Sequence, residues 1–513
     1  MFDRRTFLRT GIAAAGTAAS GGLLVACGAD SPGRGDFVAP DSARVHAVER
    51  ARHGGRTVSA RLVASRDTID LGGRAVATWT YGGRLPGQQI RLRAGEILAA
   101  TLRNDLAADT SIHWHGITLR NDADGVPDLT QEPVRVGNTY DYRFTVTQPG
   151  TYWLHPHSGV QLDRGLYAPL IVEDPHEPLR YDDEWVVVLD DWLDGVTGTP
   201  DQVLRELSNG MGGMDHGDMG GMPGMDGETA SPGPAGGSHM LMGAKSDLLG
   251  GDAGDVRYPY FLVNGRIATA PDRYTGKPGT RLRIRFINAG ADTAFRVALG
   301  GHRMSVTHTD GYPVKPVTTD ALLIGMGERY DVLVTLGDGV FPLVALAEGK
   351  RANGLALVRT GAGRAPDAKV RPKQLSGRIV SYRDLSPAGE ARLSSKKPDR
   401  TIDLKLTGGM MHYDWGFNGR KYDPNRIEPI REGERVRLRL ANTTTMWHPI
   451  HLHGHTFAVA DSGVRKDTAI VLPNTTLRVD FDADNPGIWM THCHNVYHAE
   501  AGMMTLLGYL AGS

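Results

Sequence analysis

Three stretches of the chain repeat one pattern of apolar and polar positions. Gly95–Asn104, Gly279–Asn288 and Gly433–Asn442 each start on glycine, alternate apolar residues with Arg or small residues, and close on asparagine nine residues later. Alternation with period two marks a half-buried strand. The copies lie 184 and 154 residues apart. Spacings of that size predict three homologous β-sandwich domains, not a solenoid. The fold class is therefore all-β. Further strands are expected at Glu184 to Leu189 and Tyr260 to Val263.

The register carries chemistry with it. Nine residues after Asn104 and Asn442 come His113-Trp114-His115-Gly116 and His451-Leu452-His453-Gly454. At the same distance from Asn288 stands Val297-Ala298-Leu299-Gly300, with both histidines replaced. A second motif aligns likewise: Pro149-Gly150 leads to His155-Pro156-His157, and Pro486-Gly487 leads to His492-Cys493-His494. On a strand, both imidazoles of a His-x-His pair point to one face. Eight converging imidazoles suit several copper ions. Half come from the first domain and half from the third, so the cluster is expected at their interface. The middle domain reads as a spacer.

Cys493 is one of two cysteines, and the other, Cys27, falls in an export signal. A thiolate among histidines asks for a metal. Its side chain points away from His492 and His494, so one strand can serve two centres. His448, His498 and Met503 supply the rest of a His₂Cys site with a distant thioether, the pattern of an electron-transfer copper.

With these motifs, residues 55–513 resemble the multicopper oxidases, the family of laccases, ferroxidases and bacterial copper-efflux oxidases. The resemblance implies cupredoxin-like Greek-key sandwiches and four copper ions. It implies a type 1 copper on His448, Cys493, His498 and Met503, and a type 2 copper on His113 and His451. It implies a type 3 pair on His115, His155, His157, His453, His492 and His494. The first-domain positions matching the type 1 ligands are Thr110, Pro156, Gln161 and Leu166, so only the third domain can build a blue centre. Electrons would pass from Cys493 along the backbone to a cluster that reduces O₂ to water. The resemblance gives Asp124 a part in proton delivery. Ala499 stands where many bacterial relatives carry a glutamate, and Glu500 is one residue on.

The domains are expected at 53–178, 179–365 and 366–513, with a linker over 361–400. The charge is nearly balanced, 57 basic against 58 acidic residues, which suggests no nucleic-acid partner. Arg4-Arg5-Thr6-Phe7-Leu8-Arg9 before an alanine-rich run is a twin-arginine export pattern. Leu24-Val25-Ala26-Cys27 reads as a lipoprotein box, with residues 28–52 as a flexible tether. The expected location is the periplasm or cell-surface side of the membrane, lipid-anchored at Cys27, as a monomer.

A biased segment at about 209–243 holds Met211, Met214, Met219, Met222, Met225, Met240 and Met242. Thioethers select Cu(I). With Met446 and Glu500, which match substrate positions of copper-efflux relatives, this segment points to Cu(I) as the substrate. Alternatives are a laccase-like oxidase of phenols or aromatic amines, a ferroxidase, or a copper-sequestering lipoprotein.

Overall fold

The computed structural model describes residues 32–210 and 237–512. The twin-arginine segment, Cys27 and Met211, Met214, Met219, Met222 and Met225 lie outside the described residues. Among the described residues no helix is long and apolar enough to cross a membrane.

The sheets fall into three groups along the chain. In the first, the strands Thr57–Asp70 and Ile97–Asn104 belong to one four-stranded sheet, and Gly150–His155 and His113–His115 to another. The middle group has two six-stranded sheets, and the third a six-stranded and a five-stranded one. The all-β expectation holds. The three repeated stretches form the strands Ile97–Asn104, Arg281–Asn288 and Arg435–Asn442, each central in its sheet.

The repeated asparagine has one structural job in all three domains. Each is buried at the end of its strand. Asn104 Nδ2 donates to the carbonyls of Ala108 and Val134, Asn288 Nδ2 to those of Thr293 and Ile324, and Asn442 Nδ2 to those of Met446 and Val471. Its Oδ1 accepts from the backbone two residues on, at Leu106, Gly290 and Thr444. One amide thereby bonds several buried backbone groups where its strand ends. It also sets the turn that delivers the next strand, which carries histidines in two domains.

One continuous apolar core runs through the middle and third sandwiches and includes Cys493, while the first has a core of its own. Two expectations are corrected. The described part of the 28–52 tether is not flexible: Ala43–Ala51 is a helix, Phe37, Val38 and Val45 are buried, and Val38 N donates to Tyr509 O at 2.8 Å. Its apolar residues dock it on the third domain. The expected linker, too, belongs partly to the middle domain, because Ile379–Val380 pairs with Ala321–Ile324.

Candidate metal centre

The strands place the imidazoles as alternation requires. His113–His115 pairs with Gly150–His155, setting His113 opposite His155. His448–Leu452 pairs with Ile488–Cys493, setting His451 opposite His492 and Ile450 opposite Cys493. Backbone bonds thus fix eight histidines from two domains around one space.

The nitrogens gather in compact groups, each within 4.8 Å: His113, His115 and His451; His115, His155 and His494; His157, His453 and His492. The six histidines expected as a pair of sites therefore divide into two triads that spacing alone does not reveal. Burial holds His115, His155, His157, His453, His492 and His494 well below the ordinary imidazole pKa, so they are neutral.

A neutral imidazole carries one N–H, and in six of the eight the outer nitrogen holds it. His113 donates to Asp124 O, His155 to Pro156 O, His451 to Asp467 O and His492 to Cys493 O, all at 2.8–2.9 Å. His453 donates to Asp124 Oδ2 at 2.9 Å and His115 to Asp467 Oδ1 at 3.2 Å. The inner nitrogens are then bare lone pairs. Nε2 of His453 faces Nε2 of His492 at 3.1 Å, and Nε2 of His113 faces Nε2 of His451 at 3.4 Å. Nε2 of His155 is buried with no partner. Lone pair against lone pair in a dry interior is repulsive, and a cation between them removes the conflict.

A separate group joins His448, Cys493 and His498. The two Nδ1 atoms are 3.1 Å apart, and each is 3.7 Å from Cys493 Sγ. All three residues are buried, and so is Met503, whose carbonyl accepts from Cys493 N at 3.0 Å. Burial pushes the Cys493 thiol up, so a thiolate here needs a metal cation. The short helix Val496–Ala501 brings His498 back to Cys493 and is capped by Asn495. In the first domain the matching positions are filled differently: Thr110 donates to Gln161 at 2.7 Å.

Three family models, each described as multicopper oxidase, match residues 63–177, 183–362 and 395–509. The chain is 48% identical to multicopper oxidase MmcO of Mycobacterium tuberculosis, covering 99% of this chain and 98% of that protein. It is 30% identical to a copper resistance protein A homolog of Pseudomonas syringae pv. tomato, covering 86% and 90%. The chain belongs to the multicopper oxidase family.

Among solved structures, the laccase from Botrytis aclada is 25% identical with a TM-score of 0.70, covering 90% of this chain and 89% of that one. A multi-copper oxidase from Pseudomonas thermotolerans is 27% identical with a TM-score of 0.66, covering 89% and 100%. This multicopper oxidase is thus an oxidoreductase with cupredoxin-like domains. Its buried imidazoles and thiol fit the copper that the family implies.

The other site expectations divide. Asp124 is fully buried and bonds both His113 and His453. Glu500 is exposed at the rim of a pocket lined by His155, His157, His492, Cys493, His494 and Ala499. It therefore borders a pocket that reaches both the histidine cluster and Cys493. Met446 is 2% exposed, in the core. Met240 is buried and Met242 is 41% exposed. His455, outside the groups, bonds Tyr509 Oη at 2.7 Å and is structural.

The middle domain supplies no member of these groups among the described residues, yet it is not a spacer. His498 Nε2 donates to Asp255 Oδ2 at 2.8 Å, and Tyr413 Oη donates to the same oxygen at 3.1 Å. Asp292 Oδ1 accepts from Asn495 Nδ2 at 2.7 Å, and Ala291 O from Val496 N at 3.2 Å. Asp255 and Asp292 lie in no recognisable motif, and only the folded chain brings them to the helix after Cys493.

Proposed function

We propose that this multicopper oxidase oxidises Cu(I) to Cu(II) at the expense of O₂ and so protects the cell from copper. The observation that carries the reading is the closure of the mononuclear site. His448 and His498 are both fully buried. The outer nitrogen of His498 is taken by Asp255, and that of His448 by Thr444 Oγ1 at 2.9 Å. No imidazole edge is offered to a bulky phenol, whereas a small cation, or its electron, needs no ring-sized opening. The likeness to copper resistance proteins supports the same substrate.

The ligand groups accommodate four ions: one at His448, Cys493, His498 and Met503; one at His113 and His451; one at each triad. Bound copper supplies one-electron chemistry and the reduction of O₂. The protein supplies the path, since Cys493 is one peptide bond from His492 and from His494. Asp124 orients His113 and His453 from beneath. Glu500 places a carboxyl at the mouth of the cluster's pocket, where protons and O₂ arrive. Export by the twin-arginine route, lipid anchoring at Cys27 and a monomeric state complete the proposal from sequence.

Oxygen uptake by the copper-loaded protein, with Cu(I), a substituted phenol and Fe(II) compared at equal concentration, tests it. Saturable uptake much faster with Cu(I) is expected. Fast phenol oxidation with poor Cu(I) turnover would make it a laccase.

A further inference from the structure

The middle domain reaches the trinuclear cluster as well. Between its strands Ala321–Ile324 and Arg329–Thr335 runs the loop Gly325-Met326-Gly327-Glu328. Gly327 lies directly on the cluster. A Cβ there would sit 2.8 Å from His494 Cδ2 and 3.0 Å from His115 Cε1, and its φ of +81° suits glycine. These two rings belong to one triad.

Arg329, the next strand residue, is fully buried where the three domains meet. Its guanidinium makes two parallel bonds to Asp467 of the third domain, Nη1 to Oδ1 at 2.7 Å and Nη2 to Oδ2 at 2.6 Å. Nε donates to Thr151 O of the first domain at 3.0 Å, and Nη1 to Gly327 O at 3.0 Å. Asp467 in turn receives Nε2 of His115, while its carbonyl receives Nδ1 of His451. Asp310 of the middle domain closes the ring by accepting from Asp467 N and Thr468 N. Gly116, after His115, leaves the room this needs: a Cβ there would be 2.4 Å from Arg329 Nη2 and 2.6 Å from Asp467 Oδ2.

We propose that Arg329, Asp467 and the Gly327 loop form a clasp through which the ligand-free middle domain sets the geometry of the cluster. A planar, bidentate guanidinium fixes the Asp467 carboxylate. The fixed carboxylate holds the N–H of His115 on Nε2, which leaves Nδ1 for the metal, facing His494 Nε2 at 3.2 Å. The bond to Thr151 ties the half-sites of the first and third domains to the same side chain. Arg329 and Asp467 are positioning residues.

The test has two arms on the full-length protein, preceded by a copper count on the wild type that establishes the cluster itself. In wild type, hydrogen exchange is followed with and without copper. Amides of 325–329 should gain about tenfold or more protection on loading, although no residue there is a ligand, while the turn at Gly300–Gly301 on the same domain changes less. No gain at 325–329 overturns the proposal, whatever the variants do. In the second arm, Arg329→Lys keeps the charge and loses the fork. The cluster's affinity for copper should fall about 10–100-fold while the blue absorption from Cys493 is retained. Full cluster occupancy in R329K at limiting copper would also overturn it.

Discussion

Asp255 of the middle domain accepts a hydrogen bond from the outer nitrogen of His498, a member of the third domain's His448–Cys493–His498 group, at 2.8 Å. The carboxylate makes the imidazole a stronger donor and favours the higher charge on the metal. Asp255→Asn should raise the reduction potential of the blue centre and weaken its copper affinity about 10–100-fold. Spectroelectrochemistry and a chelator competition read both. An unchanged potential would show that the pair is only structural.

Cys493→Ser should abolish the blue absorption and bring substrate oxidation to background, because no other described thiol is near. Copper held by the histidine triads should remain, since their ligands stand on the opposite face of the strand. Metal analysis beside the optical spectrum separates the two. Cellular copper protection surviving this change would argue for sequestration over turnover.

Asn442→Ala removes the amide that holds Met446 O and Val471 O just before His448. Losing these bonds, and the one that Thr444 N makes to its Oδ1, should cost about 2–4 kcal/mol and broaden or weaken the blue band. Asn104→Ala makes the same loss in the first domain. Its unfolding midpoint should fall comparably with the band intact. Urea titrations followed at the blue band and by fluorescence distinguish a local from a general effect.

His308 provides a pH prediction. Burial lowers its pKa from 6.5 to about 4, against the attraction of Asp331 and with the repulsion of Arg283. The unfolded chain therefore binds the proton first, and stability present at neutral pH is lost as pH falls from about 6.5 toward 4. His308→Gln should remove up to about 3 kcal/mol of that acid sensitivity. The measurement is the difference in unfolding midpoint between variant and wild type at pH 7 and pH 4.5. Equal losses in both would sink it.

The sandwich repeat, the four His-x-His pairs and the pairing of Cys493 with His448 and His498 were legible in sequence, because each is a short-range pattern on a strand. The division of six histidines into two triads was not, since it depends on how the first and third domains face each other. Nor were Asp255, Asp292 and Arg329: a lone charged residue in an unremarkable stretch carries no periodic signal. Glu500 was named, yet only the helix Val496–Ala501 decides that it faces the cluster's pocket. Residues 28–52 look like tether by composition, and in their described part a few apolar side chains, Phe37 and Val45 among them, overrule that.

The division of ligands between distant parts of the chain also sets an order of events in biosynthesis. His113, His115, His155 and His157 are made early, but none has its counterpart until residues 448–503 have left the ribosome. A growing chain thus offers copper only half-built sites, and an interrupted one never acquires a centre able to react with oxygen. Redox competence is withheld until the third domain has been made and has met the first.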